Sequence, residues 1–180
     1  MAGSHADDHD RDKLTRWYRD LSPNPPNPSA YGGQEGAKGD FPAYAVFLVS
    51  ASDRAAHDIF RQFRASFEAS GAGFEHLVIF GQHGVSSTVL GLLAALGLPA
   101  DATPLLAVFA SPSATTVYTL PLADAREDAG GPWWEALAQV EDAADQGEKA
   151  LDPASLPGFT GRRLKDGPLL EVVGQLVAAS

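Results

Sequence analysis

The first forty residues place apolar side chains sparsely, and only Leu14, Trp17 and Leu21 fall on one side of a helical repeat. The stretch Leu14–Leu21 covers two turns, too few to hold alone, so it must dock or fray. After it, SPNPPNPSAYGGQEGAKGD is dense in Pro, which stiffens, and Gly, which loosens, and neither lets a helix or ladder propagate. Residues 1–40 are read as a flexible N-terminal tail and linker, and residues 41–180 as one domain.

From residue 43 the pattern changes. Tyr44–Ser50 (YAVFLVS) is a nearly unbroken apolar run of strand length, the mark of a strand covered on both faces. Ala56, Ile59, Phe60, Phe63 and Phe67 then recur at spacings of three and four with Arg61, Arg64 and Glu68 between them, which predicts an amphipathic helix ended by Ser70-Gly71. Ser52 or Asp53 can cap its first turn. Glu75–Phe80 is a second strand, and Ser86–Leu96 a second helix with Val89, Leu92, Leu93 and Leu96 inside and Gly97 as its stop.

A dinucleotide-binding fold would continue with another crossover and another parallel strand. Here Pro104–Ala110 and Thr115–Leu120 are both strand-like and are separated only by Ser111-Pro112-Ser113-Ala114, too short for a crossover and suited to an antiparallel hairpin. Leu169, Leu170, Val172, Val173, Leu176 and Val177 predict a last helix with Pro168 at its first position. The order is β-α-β-α-β-β-α.

Residues 123–156 interrupt that plan with nine acidic residues against Arg126 and Lys149. Within them Trp133, Leu137, Val140 and Ala144 follow a helical repeat, with carboxylates opposite. The simpler reading is a solvated helix whose indoles pack on the domain. The other is a partner-facing surface, since Trp is favoured where interfaces concentrate their binding energy.

Composition narrows the chemistry. Hydrophobic residues make up 44% of the 180 and charged residues 20%, ordinary globular usage, and no apolar run is long enough to span a bilayer. The polar, acidic start MAGSHADDHDRDK does not have the form of a secretory signal, so a cytoplasmic protein is expected. A net charge of −10 argues against nucleic acid and anionic membranes as partners and favours a basic or neutral protein segment. Cys is absent, which removes disulfides, thiolate metal sites and cysteine nucleophiles. His5, Asp7, Asp8, His9 and Asp10 have donor atoms for a transition metal, but a mobile tail arranges none of them, so a solubilising start and no metal are expected. His83 and Ser86 suggest a base and a nucleophile, yet no Gly-x-Ser-x-Gly context surrounds them, and a turn followed by a serine helix cap is the better reading. His76 is expected on a strand face and His57 on the polar side of the first domain helix.

Two patterns in this order resemble the thioredoxin-like superfamily. Ala102-Thr103-Pro104-Leu105-Leu106-Ala107-Val108-Phe109 is similar to the family's cis-proline loop and following strand, and Gly161-Arg-Arg-Leu164-Lys-Asp-Gly167-Pro-Leu169 is similar to the approach to its last helix. The resemblance covers residues 43–122 and 157–180, and makes 123–156 an acidic helical insertion before the last helix. It implies an α/β fold with a mixed sheet flanked by helices, and a groove where the residue before the proline offers backbone hydrogen bonds to a peptide. Where the family carries Cys-x-x-Cys, this chain reads Ser52-Asp53-Arg54-Ala55, so thiol–disulfide exchange is excluded. The resemblance then points to redox-inert members that act as chaperones, adaptors or assembly factors, among them accessory proteins of hydrogenase maturation. Ser52, Asp53, Arg54, Thr103, Pro104, Trp133 and Trp134 are the expected partner-binding residues, with no catalytic residue and no cofactor. The alternative is a glutathione-type transferase using the Ser52 hydroxyl toward a thiolate, although the large helical second domain of glutathione transferases is missing.

Overall fold

The computed structural model describes residues 5–22, 41–125, 130–148 and 151–179. The linker reading of residues 23–40 lies outside them. Strand β1 (Tyr44–Leu48) is buried at all five positions, as its unbroken apolar run requires. Helix α2 (Arg54–Ala69) leads from it to β2 (Leu77–Phe80), which pairs parallel to β1 from Ala45↔Leu77 to Leu48↔Phe80. Helix α3 (Ser87–Ala95) crosses to β3 (Leu105–Phe109), antiparallel to β1, and β4 (Thr116–Pro121) completes the expected antiparallel hairpin. Helix α4 (Pro132–Asp145), a 3-10 turn at Pro153–Ser155, strand β5 (Thr160–Arg163) and helix α5 (Leu169–Ala178) follow. Together the strands form a mixed five-stranded sheet in the order β2-β1-β3-β4-β5. The architecture is α/β, a mixed sheet flanked by helices.

One face of the sheet is an aromatic layer. Phe47 from β1 meets Phe63 of α2 at 5.3 Å between ring centroids, and Phe63 meets Trp133 of α4 at 6.2 Å. Leu137, Val140 and Ala143 extend the same contact along α4. Helix α4, which lies between β4 and α5, therefore packs as a layer helix beside α2. Its carboxylates lie on the outer side, as the helical repeat predicts, while the buried side is built from Trp, Leu, Val and Ala at spacings of three and four.

The opposite face is covered by α3, α5 and helix α1 (His5–Leu21). Leu14, Trp17 and Leu21 do dock, with the Trp17 indole 5.9 Å from the Phe80 ring and only 3% exposed. The helix is also twice as long as its apolar repeat suggested, so residues 5–21 are a core-forming element and not tail. What extends it is polar. Asp10, 2% exposed, accepts from the Gly81 N–H at 2.9 Å and from the Ser86 hydroxyl at 2.5 Å through one carboxylate oxygen. Asp7 accepts from the Ser87 N–H at 2.6 Å, at the positive end of α3. Lys13 donates to the Ile79 carbonyl at 2.7 Å and to Gln82 Oε1 at 3.0 Å, and burial lowers its pKa. Of these, Lys13 takes the Ile79 carbonyl on β2 and Asp10 the N–H of Gly81 just beyond the strand. Gly81 has φ +87°, and any side chain there would run into the Val49 carbonyl, so the turn out of β2 admits glycine alone.

Strand β5 was not anticipated. Its four residues are all exposed and carry no apolar repeat, and only its register against β4, from Thr119↔Thr160 to Thr116↔Arg163, makes it a strand. No helix among the described residues is long and apolar enough to cross a membrane.

Candidate functional site

The site builds at the end of the sheet where β1 stops and β3 begins. The antiparallel pairing ends at Leu48↔Leu105. Val49 and Ser50 leave β1 at the same end of the sheet at which Thr103 and Pro104 lead into β3. Two segments distant in sequence therefore put Ser52, Asp53, Arg54, Thr103 and Pro104 at one end of the sheet.

The Ser50–Asp53 turn is closed on itself. The Asp53 Oδ2 accepts from the Ser50 N–H at 2.6 Å and from the Ser50 hydroxyl at 2.8 Å, the Asp53 N–H returns to the Ser50 carbonyl at 3.2 Å, and His57 Nε2 lies 2.9 Å from that carbonyl. Ser52 Oγ lies 3.1 Å from Ser50 Oγ. Neither Ser52 nor Asp53 caps α2 through its side chain, as the sequence had suggested. Asp53 occupies the cap position, but its carboxylate points back to the end of β1, where two donors of Ser50 converge on it. Arg54 opens α2 and is exposed.

At the same end of the sheet the Thr103–Pro104 peptide bond is cis. The Pro104 carbonyl is taken by the Leu122 N–H at 2.8 Å, which ties the segment to the end of β4. The backbone N–H and C=O of half-buried Thr103 have no hydrogen-bond partner among the described residues. A hydrogen-bonding segment from outside finds an open donor and an open acceptor here.

Trp133 and Trp134 do not belong to this place. Trp133 packs on Phe63, nine residues beyond Arg54 and so about 13 Å further along α2. With 2% exposure it is a core residue, and its indole is not offered to a partner. Trp134 meets it edge-on at 5.5 Å and is half-buried, so one indole keeps a face toward solvent. Of the nearby carboxylates, Glu135, Asp142 and Asp145 are exposed and Glu141 is half-buried.

The remaining candidates resolve into structure. Ser86 is buried, caps α3 by accepting from the Val89 N–H at 3.2 Å, and donates its hydroxyl hydrogen bond to Asp10, so its role here is the helix cap. His83 packs its ring on His9 at 4.7 Å and on His5 at 5.6 Å. Burial, followed by the nearby charge of Lys13, pushes the His9 imidazole down. Among the described residues no group of three or more His or carboxylate side chains is set to hold a metal ion. Asp7 and Asp10 instead tie α1 to α3, which the reading of residues 5–10 as a solubilising start did not foresee. His76 precedes β2 and is buried between Phe41 and Tyr44, with ring centroids at 5.0 and 5.2 Å. Its Nδ1 accepts from the Gly73 N–H at 3.2 Å, and burial pushes its pKa down.

The Asp10, Lys13 and Gly81 contacts were beyond sequence reasoning, because a charged residue in a polar stretch carries no signal that it will be buried. No family model matches this chain, and no curated protein or solved structure matches it either.

Proposed function

We propose that this protein is a redox-inert, thioredoxin-like binding protein, a chaperone, adaptor or assembly factor that holds a segment of another protein at the sheet end. The observation that carries the reading is that the Ser50–Arg54 turn and the Thr103–Pro104 segment lie at the same end of the sheet, where the Thr103 backbone N–H and C=O have no partner among the described residues. The β2-β1-β3-β4 order, with β3 antiparallel to β1, supports the thioredoxin-like assignment. With no Cys anywhere in the chain, the place next to this groove holds hydroxyls and a carboxylate that bind but do not exchange disulfides. Half-buried Trp134 and the exposed acids of α4 form a separate negative surface on the same molecule, suited to a basic segment and acting mainly on the rate of encounter.

The test places a photo-crosslinking residue at Arg54 and, as control, at exposed Gln175 on α5. A single partner captured from position 54 and not from 175, and lost when an added extended peptide competes, supports the reading. Equal capture from both positions overturns it. The glutathione-type alternative is separated by calorimetry: heat at millimolar glutathione that Ser52→Ala abolishes favours the transferase, and no heat removes it.

A further inference from the structure

The two edges of the sheet are treated differently. Beside β2, Lys13 of α1 takes the Ile79 carbonyl and Asp10 the Gly81 N–H just beyond the strand, whereas β5, at the other edge, is exposed along its whole length. The register shows which backbone groups are open. The Leu164 N–H donates to the Thr115 carbonyl at 2.8 Å, so Leu164, Arg162 and Thr160 direct their backbone groups to β4, and the alternate residues Gly161 and Arg163 direct theirs outward. Among the described residues those outward groups have no backbone partner.

The charge along this edge is opposite to that of the molecule. In a chain of net −10, Arg162, Arg163 and Lys165 put three cations into four positions. Successive strand residues alternate faces, so Arg162 stands on one face of the edge and Arg163 on the other. We infer that the outer edge of β5 is a docking strand for an extended acidic segment of a partner protein. That segment adds to the sheet through the Gly161 and Arg163 backbone groups and sets two successive carboxylates against Arg162 and Arg163.

A strand laid beside β5 brings directly opposed side chains to about 5 Å between Cβ atoms, near enough for each guanidinium to take a carboxylate. The same arginines disfavour a second copy of this chain, because edge-to-edge pairing would oppose Arg to Arg. They also explain how a strongly acidic protein accepts an acidic ligand. Exposed charges beyond about 8–10 Å are screened at physiological salt, so the local cations at the edge outweigh the distant surplus of carboxylates.

The probe is a fluorescein-labelled peptide, Thr-Val-Glu-Asp-Val-Thr, titrated with the full chain by anisotropy. Its Lys-Lys counterpart and a version N-methylated at alternate amides serve as controls. The expected result is saturable binding of the acidic peptide alone, weakened by about tenfold or more in R162E/R163E. On binding, the Gly161 and Arg163 amides should slow their hydrogen exchange. Both arginines are exposed, so the variant is checked for an unchanged melting temperature. If it melts early, the N-methylated peptide still decides, since equal binding of methylated and plain peptides would mean charge attraction without strand addition and would overturn the inference. Binding that survives R162E/R163E in a folded protein would also overturn it. So would a dimer of the free chain that this variant abolishes, since it would assign the edge to a second copy.

Discussion

A single carboxylate oxygen of Asp10 accepts both the Gly81 N–H and the Ser86 hydroxyl, and so joins the N-terminal helix to the turn between β2 and α3. The consequence is that a residue in the most polar part of the sequence holds one of the most sensitive contacts in the fold. Asp10→Ala leaves a buried N–H and a buried O–H without an acceptor, each costing about 1–3 kcal/mol. Chemical denaturation should show a loss of that order, while Asp8→Ala, whose carboxylate meets only exposed Arg11, should change stability by less than about 0.5 kcal/mol.

Removing residues 1–22 should do far more than trim a tail. Leu14, Trp17 and Leu21 are all buried, and uncovering the α3–α5 face forfeits roughly 1.5–3 kcal/mol for each. The melting temperature, followed by calorimetry, should fall by about 10 °C or more, or the truncated protein should be insoluble. A shift of only a few degrees would show that α1 does not cover this face in solution.

Trp133→Ala and Trp134→Ala should separate cleanly. Trp133 lies in the aromatic layer against Phe63, and its truncation should cost about 3–5 kcal/mol in denaturant titrations. Trp134 is half-buried, and its loss should cost less than half as much. If it contacts the partner captured at Arg54, Trp134→Ala should speed dissociation without lowering the melting temperature to the same degree.

Acid should destabilise the protein through His76. Its imidazole lies against the tilted Phe41 and Tyr44 rings and accepts from the Gly73 N–H, and burial holds its pKa below the ordinary value against the opposing pull of the Glu75 carboxylate. A histidine whose folded pKa is lowered gives the unfolded chain the greater affinity for protons, so the stability is whole above the unfolded pKa of about 6.5 and falls as pH drops below it. Denaturation midpoints measured from pH 7.5 down to pH 5 should decline, and His76→Gln should flatten the decline. An NMR titration should place the His76 midpoint below those of exposed histidines.

Much of the architecture is legible in the order of residues, because burial on two faces or on one stripe leaves a periodic trace. The unbroken runs of β1 and β3, the stripe of α2 and the four-residue link between β3 and β4 each specify an element and, for the hairpin, its pairing. The absence of Cys likewise shows by itself that these 180 residues supply no thiol. Tertiary structure decided the rest, wherever an element's place depends on a partner distant in sequence. Strand β5 has no apolar repeat and is a strand only because β4 offers it a register. The first half of α1 is polar and is helical and docked because Lys13 and Asp10 find β2 and the Gly81 N–H just beyond it, far along the chain. Helix α4 carries four acids on its outer side, and its place beside α2 depends on Phe63, a partner seventy residues away in sequence. The candidate site follows the same division. Its residue types stand in the sequence, but that Ser52 and Asp53 share one end of the sheet with Thr103 and Pro104 depends on β1 and β3 pairing antiparallel, a relationship that no local pattern encodes.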